Sequence, residues 1–459
     1  PMTDKAAPGA QVLARTPRPT PSAVADALAD AFLAADEWSA DQLIEAGAFV
    51  LGARRRWLRP LVADVLGSFV RPPVDAPRLL AAHIRDAPAF REAVRKANER
   101  GSSIRIAHRT VTASHSREPA GALPRIDSVA ELAAMLELSI GELDWFADNK
   151  QWNRRARSGP LHHYRYEWRT RPGRIPRLLE IPERRLRHVQ RTLLHGVLSL
   201  IPVNDAAHGF MPGRSAITGA SRHVDSDIVI CLDLTTFFAR VTAGRIYGTL
   251  RQSGFSEPVA HTITGLCTNA VPPRVIAAMP QGGSSDERFA LRRALAGTHL
   301  PQGAPSSPMV ANLAIRRLDS RLTGWAAAVG ATYTRYADDL AFSGGEMLAK
   351  RPDAFVRGAR RIVEDEGHSV NAKKTRLRRR GVRQAVTGIV VNQRTNVSRA
   401  DYDRLKATIH NCVTLGPATQ NRAHVGDFRA HLLGRISWVE SVNPDRGRRL
   451  REEFLRIRW

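Results

Sequence analysis

Apolar residues in the first part of the chain recur every three or four positions, the spacing of amphipathic helices. The pattern runs from Ser22 to about Asn98 and returns at 128–149, where a further pair of helices is predicted. Residues 1–22 lack this period, are rich in Pro, Ala and Thr, and are predicted to form a disordered tail. A helical N-terminal extension with a linker is therefore expected over 23–125.

After about residue 160 the pattern changes to short apolar runs rich in β-branched residues, which are typical of strands. IVICLDLTTFFARV (228–241) opens as a buried strand, ATYTRYADDLAFSG predicts two short strands joined by a tight turn, and QAVTGIVVN (384–392) predicts another strand. Amphipathic helices are predicted between them, at 306–330 and 353–367. This alternation predicts an α+β domain with an antiparallel sheet.

Charge and cysteine content narrow the class of protein. The chain has 69 Lys and Arg against 44 Asp and Glu, a formal net charge of +25, which favours a polyanionic partner such as nucleic acid. Its three cysteines are far apart and form no CxxC pair, so neither a zinc site nor a disulfide framework is implied. No apolar run reaches the roughly 20 residues that span a bilayer. A cytoplasmic protein without a membrane partner is expected.

Three acidic residues stand in otherwise apolar surroundings. Asp338 and Asp339 are adjacent within YTRYADDLAFSGG, and Asp233 follows the buried run VICL. Locally, these acids could belong to a solvated turn and to a cap after a strand. Alternatively, one acid from a strand and two from a neighbouring hairpin could converge on two Mg²⁺ ions, because a divalent cation neutralises carboxylates that would otherwise repel each other.

The order of the motifs supports the second interpretation. DLTTFF, LPQGAPSSP, YADD, GHSVNAKKT and VTGIVVN follow one another as in the palm of a reverse transcriptase, and the chain most resembles the bacterial retron-type enzymes. RLLEIPERRLRHVQRTLL and AHGFMPGRS resemble the fingers segments upstream. The resemblance implies a right-hand polymerase fold after the N-terminal extension, with fingers and palm over 126–397 and a helical thumb over 398–459.

The resemblance also implies roles at the reaction centre. Asp233, Asp338 and Asp339 match the catalytic metal ligands for two Mg²⁺ ions, for which Mn²⁺ could substitute. Lys374 matches a lysine near the leaving pyrophosphate, with Lys373 as the competing choice. The residues expected to bind the incoming nucleotide are Arg174, Arg177, Gln302, Gly303 and Phe238. Of these, Phe238 is expected to lie beneath the sugar and to exclude a 2′-hydroxyl, whereas its neighbour Phe237 is expected to face the core.

A second set of residues is expected to contact nucleic acid. The run KKTRLRRRGVRQ (373–384) has seven basic residues in twelve and lies between the nucleotide site and the primer grip implied by the resemblance. Phosphate contact is therefore expected there, although such runs are commonly solvated surfaces. The residues expected to contact nucleic acid are Arg214, Tyr336, Lys373, Arg378, Arg379 and Arg380.

These features predict an RNA-directed DNA polymerase that makes single-stranded DNA from an RNA template. The expected partners are dNTPs, the RNA–DNA hybrid and a structured noncoding RNA, and the resemblance to retrons implies a link to antiphage defence through an effector protein. Two other interpretations remain open. One is a group II intron-like or other standalone bacterial reverse transcriptase, and the other is a catalytically silent RNA-binding scaffold.

Overall fold

The structure is a computed structural model that describes residues 19–35, 37–73, 76–108, 123–155, 159 and 161–459 of the sequence. Within these ranges no helix is both long and apolar enough to cross a membrane. Most of the predicted tail, residues 1–18, lies outside the described residues, as do residues 109–122 of the predicted linker. The first helix begins at Pro21, so the last two residues assigned to the tail are helical.

The described residues that precede the first strand are mainly helical, as their apolar period predicts. The helices described before the first strand are α1 Pro21–Leu33, α2 Ala40–Leu51, α3 Leu58–Ser68, α4 Pro77–Asp86, α5 Pro88–Glu99, α6 Val129–Met135, α7 Ile140–Ala147 and α8 Trp152–Arg155. The first of these is capped at Thr20, whose side chain accepts a hydrogen bond from the amide of Ala23.

Strands and helices alternate in the remaining chain. The strands are β1 Tyr164–Arg169, β2 Arg177–Pro182, β3 Ile228–Asp233, β4 Thr332–Tyr336, β5 Asp339–Gly344, β6 Arg376–Arg379, β7 Ala385–Val386 and β8 Ile389–Val390. The helices are α9 Arg184–Gly196, α10 Ala216–Ser221, α11 Ala243–Gln252, α12 Glu257–Cys267, α13 Pro273–Ala277, α14 Ser285–Ala296, α15 Ser307–Ala314, α16 Arg316–Ala327, α17 Glu346–Lys350, α18 Pro352–Asp365, α19 Arg399–Leu415, α20 Phe428–Val442 and α21 Pro444–Phe454.

The central sheet has the strand order β4-β5-β3-β6, and every neighbouring pair is antiparallel. This confirms the predicted α+β class with an antiparallel sheet. Strand β3 lies between β5 and β6, and its side chains are almost all buried, which explains its continuous apolar run. Strands β1 and β2 form a separate antiparallel pair.

Two predicted elements are wrong in detail. The single strand over 384–392 is instead the two short strands β7 and β8, because Thr387 and Gly388 both have positive φ, at 47° and 85°, and reverse the chain between them. The single helix over 306–330 is instead α15 and α16, interrupted at Ile315 with ψ near 14°. The hairpin predicted around the paired acids and the helix predicted at 353–367 are confirmed as β4–β5 and α18.

The chain forms two compact units. One comprises the described residues within 1–119, 125–135 and 251–261, and the other comprises the remaining described residues. The first has its own core of buried apolar side chains from α1 to α5. In the second, residues of β3 and β5 share a core with β7, β8 and helices α19–α21. That core anchors the C-terminal helices to the sheet that carries the acidic residues. The assignment of fingers, palm and thumb to particular ranges stays a prediction.

Candidate active site

The three acidic residues meet at one end of the central sheet. Asp233 is the last residue of β3 and pairs across the strands with Asp339, the first residue of β5. Asp338 lies in the turn that precedes β5, and its carbonyl accepts a hydrogen bond from the amide of Leu234 at 2.9 Å. The antiparallel register therefore brings together acids that are more than a hundred positions apart in sequence.

The turn between β4 and β5 has two residues, Ala337 and Asp338, because Tyr336 pairs directly with Asp339. Ala337 has φ of 55°, in the left-handed region that two-residue hairpin turns use. A residue with a β-carbon reaches this region only at some cost, so the surrounding structure must hold the turn in place.

The acids face two different cavities. Asp233 and Asp338 line a cavity of about 820 Å³ together with Lys374. Asp339 lines a second cavity of about 450 Å³, which it shares with Tyr336. Asp233 and Asp338 are thus the pair that shares one space.

The acidic cluster is electrostatically unfavourable in its ionised form. Burial raises the pKa of Asp338, and the negative charge of Asp233 raises it further, against the opposing effect of Lys374. Partial burial and the charges of Asp338 and Asp233 raise the pKa of Asp339 to about 6. The ammonium of Lys374 hydrogen bonds to both carboxylate oxygens of Asp233, 3.0 Å from Oδ2.

The donor set fits a divalent metal ion. Carboxylate oxygens are the ligands that Mg²⁺ prefers, and few are needed because water and phosphate oxygens complete its shell. Asp233 and Asp338 supply such oxygens in one cavity. Over the described ranges, no group of three or more His, Cys, Asp or Glu side chains is arranged to hold a metal by itself. A metal at this site would therefore need oxygens from substrate or water in addition to these carboxylates.

The larger cavity also brings together most of the residues predicted to bind nucleotide. Those that line it are Arg174, Arg177, Phe238 and Gln302. Lys373, predicted to contact nucleic acid, lines the same cavity. Phe238 is half-buried, whereas Phe237 is only 4% exposed and packs against its neighbour with 5.3 Å between ring centroids. Both residues line the cavity, but Phe237 is buried, as predicted, whereas the side chain of Phe238 is partly accessible.

Gly303 has a structural role in the loop beside this cavity. Its φ is 132°, and a β-carbon at this position would lie 2.9 Å from the carbonyl oxygen of Glu180 on β2. The preceding residue, Gln302, accepts a hydrogen bond from the Glu180 amide at 2.8 Å. Glycine is thus required for the close approach of this loop to the strand that begins at Arg177.

A buried polar network behind the cavity was not predicted. Glu180, on β2, accepts hydrogen bonds from His299 at 2.9 Å and from Asn269 at 2.7 Å. The other ring nitrogen of His299 contacts the Gly297 carbonyl at 2.8 Å, and Asn269 also donates to the hydroxyl of Tyr166. The network joins β1, β2 and the loop before α15. Its members are too far apart in sequence for any local pattern to reveal it.

The predicted nucleic-acid residues occupy different environments. Tyr336 and Arg378 line the cavity that contains Asp339, and Arg379 is exposed on the edge strand β6. Arg380 forms ion pairs with Asp225 and Asp227. The sequence alone could not distinguish such a paired arginine from a free one.

Arg214 is bonded within its own loop, and its contact with nucleic acid stays a prediction. Its guanidinium donates to the backbone carbonyls of Asn204, Asp205 and Ala207 and pairs with the Asp205 carboxylate at 2.8 Å. These contacts close the loop that precedes α10. They engage the guanidinium within its own loop, because the five donors of an arginine can satisfy several carbonyls at once.

Known proteins that are similar to this chain support the assignment of this active site. The family model "Reverse transcriptase (RNA-dependent DNA polymerase)" matches residues 172–398, which include all three acids. The chain is 38% identical over 336 residues to the retron Mx65 reverse transcriptase of Myxococcus xanthus, across 72% of this chain and 71% of that protein. It is 34% identical to the retron Mx162 reverse transcriptase of the same organism, across 72% and 67%. It is 28% identical to the retron Ec86 reverse transcriptase of Escherichia coli, across 61% and 76%. The chain belongs to the bacterial retron-type reverse transcriptases and is an RNA-directed DNA polymerase.

Proposed function

We propose that this polymerase joins dNTPs to a growing DNA strand by two-metal nucleotidyl transfer in the larger cavity. The observation that carries the proposal is the convergence of Asp233 and Asp338 on a space that Lys374, Arg177 and Phe238 also line. Carboxylates, cations and an aromatic ring in one cavity match the parts of a dNTP, which has a charged triphosphate and an apolar sugar face.

Asp233 and Asp338, with Asp339 in support, would hold two Mg²⁺ ions, or Mn²⁺ in their place. Reverse transcriptases generally use divalent metal ions, and when bound here they would stabilise the negative charge on the attacking and leaving oxygens. Burial and, after it, the charge of Asp233 raise the pKa of Asp338. A bound cation would offset the repulsion between the two carboxylates, which supports this role. Lys374 neutralises Asp233 in the structure and would be released toward the triphosphate when another cation takes its place.

Positive side chains around the cavity would hold the triphosphate. Arg177 begins β2, and Arg174 precedes it in the loop that also lines the cavity. A guanidinium can contact two phosphate oxygens at once, whereas Lys373 and Lys374 act as point charges. Lys374 is also the candidate proton donor to pyrophosphate. Gln302 would contact the incoming nucleotide or its template partner, and Gly303 would allow that loop to lie against β2.

Phe238 would select deoxyribose. Its ring is half-buried at the cavity wall and is backed by the buried ring of Phe237, so it has little room to retreat. A 2′-hydroxyl distinguishes RNA precursors from DNA precursors, and a bulky ring beneath the sugar would exclude it.

The template would be RNA, which agrees with the reverse transcriptase relatives, and a structured noncoding RNA is the proposed source. Tyr336, Arg378 and Arg379 would contact the primer–template hybrid, with the helical residues 398–459 serving as the thumb. We also propose action in the bacterial cytoplasm, where dNTPs and RNA are present, and a defence role with an effector protein. The helices of residues 23–125 would be available to such a partner.

Primer extension on an RNA template tests the proposal. Asp338→Asn keeps the shape of the side chain and removes the charge, so extension should fall by several orders of magnitude while RNA binding persists. The matched control is Asp353→Asn, at the exposed start of α18, which should extend as the wild type does. Near wild-type extension by Asp338→Asn would contradict the assignment of this active site.

A further inference from the structure

The turn that carries Asp338 rests on a fully buried ion pair. The guanidinium of Arg335, in β4, donates from Nε to Oδ1 of Asp319 at 2.8 Å and from Nη2 to Oδ2 at 2.7 Å. Both side chains are 0% exposed. Burying a charge is costly unless the charge is paired and hydrogen bonded, and this bidentate arrangement meets both conditions.

The third guanidinium nitrogen of Arg335 contacts the turn itself. Nη1 of Arg335 donates to the carbonyl of Ala337 at 3.2 Å and to Oδ1 of Asn312 at 2.9 Å. The amide nitrogen of Asn312 in turn donates to the carbonyl of Gly209 at 2.9 Å. Gly209 touches the same turn, since a β-carbon there would lie 2.9 Å from the amide nitrogen of Ala337. Arg335 and Gly209 thus contact the turn together and are tied to each other through Asn312.

These contacts hold a conformation that the turn would not keep by itself. Ala337 has φ of 55° although it has a β-carbon. Its carbonyl is held by Arg335, and the next carbonyl, that of Asp338, is held by the amide of Leu234, directly after β3. Two successive carbonyls are therefore fixed from two sides. The direction of the Asp338 side chain depends on both.

We infer that Arg335 is a positioning residue for the Asp338 carboxylate, and that Asp319 keeps the guanidinium oriented for this task. The inference rests on the proposed role of Asp338 as a metal ligand. It requires the forked shape of arginine, because one ammonium group cannot hold Asp319 bidentately while it also donates to Asn312 and Ala337.

If the ion pair only supports the fold, a different result is expected for its replacement. Buried ion pairs can be exchanged for apolar residues of similar volume with little loss of stability, and sometimes with a gain. If the pair only supports the fold, the double variant Asp319→Leu/Arg335→Met should recover wild-type behaviour once it is folded. If Arg335 positions the turn, that double variant should be stable and yet bind metal poorly.

The experiment uses the full chain in four forms: Arg335→Lys, the double variant, Asp338→Asn and the control Arg321→Gln. Arg321 lies on the same helix as Asp319 and pairs with Asp365 and Glu366 on the other side. Mn²⁺ binding without nucleotide is measured by electron paramagnetic resonance, single-turnover extension by rapid quench, and folding by thermal unfolding. Arg335→Lys and the double variant should bind Mn²⁺ about 10–100-fold more weakly, with a similar loss of rate, and Arg321→Gln should match wild type.

Every other outcome also distinguishes a positioning role of Arg335 from a purely structural one. Arg335→Lys with wild-type Mn²⁺ affinity and rate would overturn the inference, and so would its failure to fold, which would assign the pair to fold stability. If the double variant does not fold, Arg335→Lys decides alone, since it keeps the buried charge. If Asp338→Asn loses metal binding while Arg335→Lys keeps it, only the positioning role is wrong. If Asp338→Asn also keeps it, the proposed metal site is wrong.

Discussion

The ammonium group of Lys374 is bound to both carboxylate oxygens of Asp233, across 141 positions of sequence. The lysine thus occupies the carboxylate that is proposed to bind metal. Without a divalent cation it offsets part of the repulsion among the three acids, and a bound cation would compete with it for the same oxygens.

Lys374→Met should therefore have two effects. Thermal stability without divalent metal should fall, and added Mg²⁺ should raise the melting temperature more than in the wild type, because the acids have lost their internal cation. The rate of nucleotide incorporation should fall by about 10²–10⁴-fold if the lysine protonates the leaving group. Lys373→Met is the matched control, since Lys373 lines the same cavity and is exposed. Equal effects of the two substitutions would argue against a special role for Lys374.

Phe238→Ala should raise ribonucleotide incorporation relative to deoxyribonucleotide incorporation by opening space beneath the sugar. The ratio of the two efficiencies on one RNA template measures this. Phe237→Ala is the informative comparison, because a 4% exposed core phenylalanine should cost about 3–5 kcal/mol of unfolding free energy when truncated, without a change in sugar preference. A ratio that Phe238→Ala leaves unchanged would remove it from the sugar site.

The strands and the hairpin that depend on local sequence pattern could be predicted from the sequence. The buried strand ending at Asp233 and the hairpin around Asp338 follow from short apolar runs broken by acids, and the burial of Phe237 beside the accessible Phe238 agrees with the expected roles. The polar networks were not predictable. Arg335 meets Asp319 and Asn312 across 16 and 23 positions, and Glu180 meets His299 across 119, so only the folded chain brings them together.

The buried pair of His299 and Glu180 should make stability depend on pH. Burial by itself opposes protonation of His299, but the Glu180 carboxylate and the Gly297 carbonyl outweigh it, and the net effect raises the pKa of His299. Because its pKa is higher in the folded state, the pair stabilises fully below the unfolded pKa of about 6.5 and loses this contribution as pH rises through the folded value. The free energy of unfolding should therefore fall as pH rises above about 6.5.

Urea unfolding at several pH values tests this dependence, and Glu180→Gln should flatten it. The pH range above 6.5 distinguishes His299 from three other buried histidines, because burial lowers the pKa of His163, His223 and His368 to about 4. Those histidines reduce stability only as pH falls below about 6.5. An identical pH dependence of stability above pH 6.5 for wild type and Glu180→Gln would show that His299 is not held as a cation.

The arginines that follow Lys374 should differ in their contribution to RNA binding. Arg378 lines the cavity beside Asp339 and Arg379 is exposed on the edge strand, whereas Arg380 is paired with Asp225 and Asp227. Replacing Arg378 and Arg379 with Gln should weaken binding to every RNA sequence tested. The slope of log affinity against log salt should flatten by about 0.7–0.9 for each lost phosphate contact. Sequence preference should persist, because phosphate contacts position the nucleic acid without reading its bases.

Arg380→Gln provides the internal comparison for this prediction. Its guanidinium already has two carboxylate partners, so its loss should change the salt slope less than the loss of Arg379 does, although the formal charge change is identical. A general electrostatic attraction between a protein of charge +25 and RNA would instead make the three substitutions equivalent. Titrations at several salt concentrations separate the two explanations: equal slopes for Arg379→Gln and Arg380→Gln would mean that β6 contributes only bulk charge and makes no specific phosphate contact.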